Sequence, residues 1–162
     1  MVKGRGTMSD RSWLARLEAE HLELELTRFD RRDAWRLGSA IAERALQESY
    51  PIAIDIRTGS DVLFHASMPG ATADNDSWVA RKAATALRFE TSTALLEARV
   101  ADGGRDMFEP GWLDPSRYAV AGGAVPIRVQ GVGVVAVATV SGLPSEIDHD
   151  TVVTALRELA AS

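Results

Sequence analysis

The chain has 162 residues, 46% of them hydrophobic, a formal net charge of −5 and no cysteine. That length and apolar content suit one domain around one core, and an acidic balance without a basic tract argues against nucleic acid as a partner. The absence of cysteine excludes disulfides, thiolate metal sites and a thiol nucleophile, and no run is apolar and long enough to cross a bilayer.

The opening MVKGRGTMSDRSW has neither an apolar stretch nor a small-residue cleavage site, so the chain is read as cytoplasmic. Residues 1–8 are read as a disordered tail ahead of a single domain over 9–162. Ser9 or Asp10 caps a first helix to about Leu26, with Trp13, Leu14, Leu17, Leu22 and Leu26 as a rough apolar stripe. Glu18, Glu20, Glu23 and Glu25 are expected to face water, and His21 among them to be exposed. Asp30 caps a second helix over about 31–49, in which Ala34, Leu37, Gly38, Ile41, Ala45 and Leu46 recur at helical spacing. Gly38 permits close approach to a neighbour, here a sheet.

The stretch PIAIDIRTGSDVLFHASM changes the period from 3.6 to 2. A three-residue loop at Gly59, Ser60 and Asp61 puts Ile52, Ile54 and Ile56 on one face with Phe64 and Ala66, and sets Asp55 across from His65 on the other. That pair is either an oriented base or ordinary cross-strand polar chemistry.

DNDSWVARKAATALRF opens a long helix that runs from Asp74 to about Val100, with a possible break at Thr91, Ser92 and Thr93. Asp74, Asn75, Asp76 and Ser77 suit a helix start, because their side-chain oxygens accept free amides and the acids complement the dipole. The cations Arg81, Lys82 and Arg88 have no acid three or four residues away on the same helix. They are therefore solvated, paired with another element or subunit, or reserved for an anion that arginine would hold through two bonds. Trp78, one turn before Lys82, is a stacking platform or a core or interface anchor. The Gly- and Pro-rich ADGGRDMFEPGWLDPSRY that follows carries Met107, Phe108 and Trp112, as a functional or docked loop does.

Val125, Ile127 and Val129 alternate in a strand that Pro126 confines to an edge or a strand start, and Gly122 and Gly123 ahead of it permit a bend or backbone approach to a ligand. Gly131 and Gly133 lack the third glycine and the strand-to-helix turn of a nucleotide loop. Val134 to Val140 is apolar on both faces, hence central. A last helix begins with Ser145 and Asp148 as a variant capping box, and Val152, Leu156 and Leu159 form its stripe. His149, in its first turn beside Asp148 and Asp150, is a candidate metal or haem ligand or a base; the alternative is a histidine bonded to backbone or a neighbouring acid. No fixed metal spacing is present. The whole predicts an α+β domain, with a central antiparallel sheet of about five strands and helices packed on its faces.

The segments DNDSWVARKAATALRF, YAVAGGAVPIRVQGVGVVAVATVSGL and DHDTVVTALREL resemble, in order and over about residues 12 to 160, a family of bacterial and fungal haem-degrading domain proteins. That family is similar to GlcG-like and secreted haem-binding accessory proteins and to the C-terminal domain of PduO-type adenosyltransferases. The resemblance implies a layered α+β fold, assembly as a homo-oligomer, and haem as a possible cofactor. By motif it carries a ligand site onto Asp74, Asn75, Trp78, Arg81, Lys82, Gly122, Gly123, Pro126, Asp148 and His149. Three functions remain open: a binding domain for a small anionic or haem-like ligand, with His149 as axial ligand; an oligomeric interaction scaffold; and a haem-degrading or other small-molecule enzyme.

Overall fold

Alternation in four short segments builds the sheet, and apolar stripes on the helices cover it. A computed structural model describes residues 8–162. The elements are α1 (Met8–Glu23), α2 (Arg31–Glu48), β1 (Ala53–Arg57), β2 (Val62–Ser67), α3 (Ala73–Phe89), α4 (Thr93–Ala101), β3 (Ala124–Val129), β4 (Gly133–Ser141) and α5 (Ser145–Ala160). The expected tail over residues 1–8 lies outside the described residues except for Met8, with which α1 opens.

The fold is α+β, with four antiparallel strands in the order β2-β1-β4-β3 against the expected five or so. Residues 102–123, rich in Gly and Pro, stay in turns and add no strand. On one face Ile54, Ile56, Val125, Ile127, Ala138 and Val140 pack against Leu37 and Ile41 of α2 and Val152 and Leu156 of α5. On the other, Ala83 and Ala86 of α3 meet Ala124 and Val137. Leu17 of α1 packs on Ala94 and Leu95 of α4 in a smaller cluster. β4 is central and β3, with Pro126, is an edge. A parallel bridge from Leu26 to Val129 covers that edge, so α1 ends at Glu23 and Leu26 belongs to the sheet margin.

The hairpin register pairs Ile54 with Ala66, Asp55 with His65 and Ile56 with Phe64, as the alternation predicts, although Thr58 joins the loop and a bulge follows Ile56. A Cβ added to Gly38 would lie 2.3 Å from the Phe64 ring, so α2 reaches β2 only because residue 38 lacks a side chain. The long helix is broken where the sequence suggests. Glu90 takes a left-handed conformation at φ 49° and Ser92 caps α4 by accepting from the Leu95 amide at 3.3 Å. The α5 cap differs: Pro144 holds the N-cap position, and Asp148 reaches back to the Leu143 amide at 3.0 Å in place of a Ser145 box.

Candidate functional site

Four of the ten expected site residues converge in the interior. Lys82, 2% exposed, projects from α3 under the sheet end. Its Nζ donates to the Gly122 carbonyl at 2.8 Å, the Val140 carbonyl at 3.2 Å and Asp148 Oδ2 at 3.1 Å. Asp148 also accepts from the Leu143 and Gly142 amides, at 3.0 and 3.4 Å. Gly123, at φ 132°, passes so close that an added Cβ would lie 2.3 Å from the Val140 carbonyl oxygen and 2.9 Å from Lys82 Nζ. Burial pushes the Lys82 ammonium down from its ordinary value and the Asp148 carboxyl up, and each charge partly offsets the shift of the other. An ammonium has three protons, and here three acceptors take them. This cluster locks α3 to β4 and α5, and leaves no donor for a ligand.

His149 faces the opposite way, towards α1. It is 1% exposed, its Nε2 lies 2.7 Å from Glu20 Oε2, and the Trp13 ring meets it edge-on at 5.6 Å. Nδ1 has no hydrogen-bond partner, so the ring proton that binds Glu20 sits on Nε2. Pro126 lines a cavity of about 20 Å³ beside Glu20, Ser92 and His149. Glu20, expected in water, is buried. The signal was its spacing: Trp13, Leu17 and Glu20 share one helical face.

Burial would raise the Glu20 carboxyl, but the bond from His149 and the charges of Arg16 and Arg157 hold it below its ordinary 4.5. A carboxyl depressed by folding stabilises the protein above its unfolded value, and that contribution is lost as pH falls through the folded one. Glu20→Gln is therefore expected to remove about 2 kcal/mol at neutral pH and to flatten the acid limb of urea stability measured below about pH 5. An acid limb as steep as in the wild type would contradict this.

The outer side of α3 is different in kind. The Arg81 guanidinium stacks 4.3 Å from the Trp78 ring centroid, and Arg88 lies 5.2 Å from Tyr118 and 5.5 Å from Phe89. Arg117 adds to Tyr118 at 5.8 Å, Arg105 stacks on Trp112 at 4.6 Å, and Trp112 meets Phe89 edge-on at 6.2 Å. The 105–118 segment is tied down where the Ala119 amide donates to the Arg81 carbonyl and to Thr85 Oγ1, at 3.3 and 3.2 Å. Arg105 is paired with Glu109 and Arg117 interacts with the charge of Asp114, but among the described residues Arg81 and Arg88 have no ion-pair partner. At the start of α3, Asn75 Oδ1 accepts from the Thr72 amide at 2.9 Å and completes a capping box, while Asp74 is exposed in the first turn.

A cleft of about 230 Å³ opens between α1, α4 and the start of α5, beside Trp13, Glu97, Asp102 and Glu146. Glu97 there accepts from the Gly122 amide at 3.0 Å. Its carboxylates repel anionic groups, and it does not border α3.

The family model described as "Haem degrading protein HbpS-like" matches residues 29–157. The chain belongs to the HbpS-like family. The HbpS-like span begins just ahead of α2 and ends within α5, so the α3 face and His149 fall inside it while Trp13 and Glu20 fall outside. A UPF0303 protein of Streptomyces avermitilis is 44% identical over 142 residues, 88% of this chain and 87% of the relative. Among solved structures, Ybr137w aligns with a TM-score of 0.84 at 33% identity, covering 95% of this chain and 91% of that one. A complex of PduOC with heme aligns with a TM-score of 0.63 at 23% identity, covering 80% and 93%, a likeness of fold.

Proposed function

We propose that this HbpS-like chain is a binding domain for a planar, carboxylate-bearing small molecule of the haem-like class, held on the outer face of α3 and the 105–118 segment. One observation carries the reading. Arg81 and Arg88 lie against aromatic rings, and no carboxylate of the described residues pairs with them. A flat ring adds to such stacks, and its carboxylates meet guanidinium groups that are held in place by the rings beneath. From Trp78 to Phe89 the face runs about 16 Å along α3.

Haem fits this face by its ring and propionates and not by its iron. His149 is closed off by Glu20 and Trp13, and His65 has a carboxylate at each ring nitrogen. No group of three His, Cys, Asp or Glu among the described residues suits a metal ion. An axial bond from His149 would require Glu20 and Trp13 to move aside, so His149 holds no ligand in this arrangement. Haemin and iron-free protoporphyrin are accordingly expected to bind alike, followed by tryptophan quenching. Arg81→Ala with Arg88→Ala should weaken both by about tenfold or more. No binding, or binding that ignores both arginines, would remove the reading.

A second reading, self-assembly, rests on Trp35 and Val62, which are 65% and 56% exposed. Val62 opens β2 and Trp35 meets Phe64 of that strand edge-on at 5.7 Å; β2 is an edge strand without proline or lysine, and a second copy pairing there would cover these two. Light scattering on Val62→Lys is expected to show a smaller particle than the wild type; an unchanged mass would count against this interface.

A further inference from the structure

Asp55, His65 and Asp76 belong neither to the Lys82 cluster nor to the arginine face, yet they join β1, β2 and α3 in one line of polar groups. Asp55 is fully buried, and Arg57 clamps both of its oxygens at 2.5 and 2.7 Å. Asp55 Oδ2 also lies 3.0 Å from His65 Nδ1. On the far side of the ring, His65 Nε2 lies 3.1 Å from Asp76 Oδ1, which accepts from Ser67 Oγ at 3.3 Å as well. Arg57 and Asp55 from β1 and Asp76 from α3 are the charged groups of this line, and Ser67 is its neutral member.

An ionised carboxylate only accepts hydrogen bonds, so both contacts hold at once only when each ring nitrogen carries a proton. We propose that the second His65 proton is a removable tether between β2 and the first turn of α3, and that it thereby regulates the ligand face that starts at Trp78. The last clause rests on the proposed function; the tether itself does not.

When one proton leaves, the remaining N–H stays with Asp55, which is sealed in the protein, because Asp76, with its side chain 44% exposed, can turn to water. The Asp76 contact then becomes two acceptors facing each other 3.1 Å apart, and it opens. The bond between Asn75 and Thr72 keeps the helix start capped, so α3 loosens from β2 without unwinding. Asp76 stands two residues ahead of Trp78, so the movement reaches the Trp78–Arg81 stack first.

The test is amide hydrogen exchange over residues 74–80, corrected for intrinsic rates, in the wild type and in Asp76→Asn between about pH 5 and pH 8. Wild-type protection is expected to fall about three- to tenfold as pH rises. Asp76→Asn should show little pH dependence, since a carboxamide can donate to a bare Nε2 as well as accept from its N–H. A flat wild-type profile, or the same pH dependence in both proteins, would overturn the tether. Protoporphyrin affinity measured on the same samples separates the two proposals. Protection that follows pH without any porphyrin binding keeps the tether and removes the ligand reading. Porphyrin binding with pH-independent protection does the reverse.

Discussion

Lys82→Met is expected to destabilise the protein by about 3–5 kcal/mol, because it leaves Asp148 buried without its counter-charge. Two carbonyls, those of Gly122 and Val140, lose their donor in the same step. The double variant Lys82→Met with Asp148→Leu should recover a large part of that loss. Burial disfavours the ionised form of both partners, so removing the pair together also removes their desolvation cost. The recovery is incomplete, since the Leu143 and Gly142 amides lose an acceptor. Urea unfolding of the two singles and the double closes the cycle. A double variant as unstable as the sum of the singles would show that the two side chains do not act as a pair.

Gly123→Ala is expected to cost about 3–5 kcal/mol, from a left-handed backbone and an overpacked interior acting together. The added methyl would meet the Val140 carbonyl, on a residue held in place by pairing with Ile54 of β1 and by its own amide donating to the Gly123 carbonyl at 3.0 Å. Gly131→Ala is the control: its φ of 73° is also positive, but nothing lies within 4 Å of an added Cβ. It should cost only about 1–2 kcal/mol. Equal losses at the two positions would mean that the close approach at Gly123 contributes nothing beyond its backbone angle.

The parts of this structure that follow from short-range rules are legible in the sequence alone. Period-2 alternation with one buried face admits one register, so the pairing of Asp55 with His65 could be placed from the sequence. Ser92 and the residues around it marked the break between α3 and α4 because a serine competes for backbone amides. Lys82 illustrates what was only half legible. Its lack of a local acid required a partner from elsewhere, but nothing along the chain singled out Asp148, 66 residues away. Glu20 was missed because its charge was given more weight than its position on the Leu17 face, and tertiary context overrode that polarity through His149. Tyr118, the aromatic partner that Arg88 and Arg117 share, lies on a loop without periodicity, where sequence pattern carries no geometry. The Lys82 and His149 side of the molecule is closed by its own hydrogen bonds, whereas the outer side of α3 carries the arginine–aromatic stacks.

The proposed ligand face consists of guanidinium groups held against rings. Backbone amide chemical-shift mapping during titration with protoporphyrin tests it most directly. The expected perturbations cluster on residues 78–89 and 105–118 and disappear when Arg81 and Arg88 are both replaced by alanine. Perturbations centred on Trp13, Asp102 and Glu146, or none at saturating porphyrin, would contradict it.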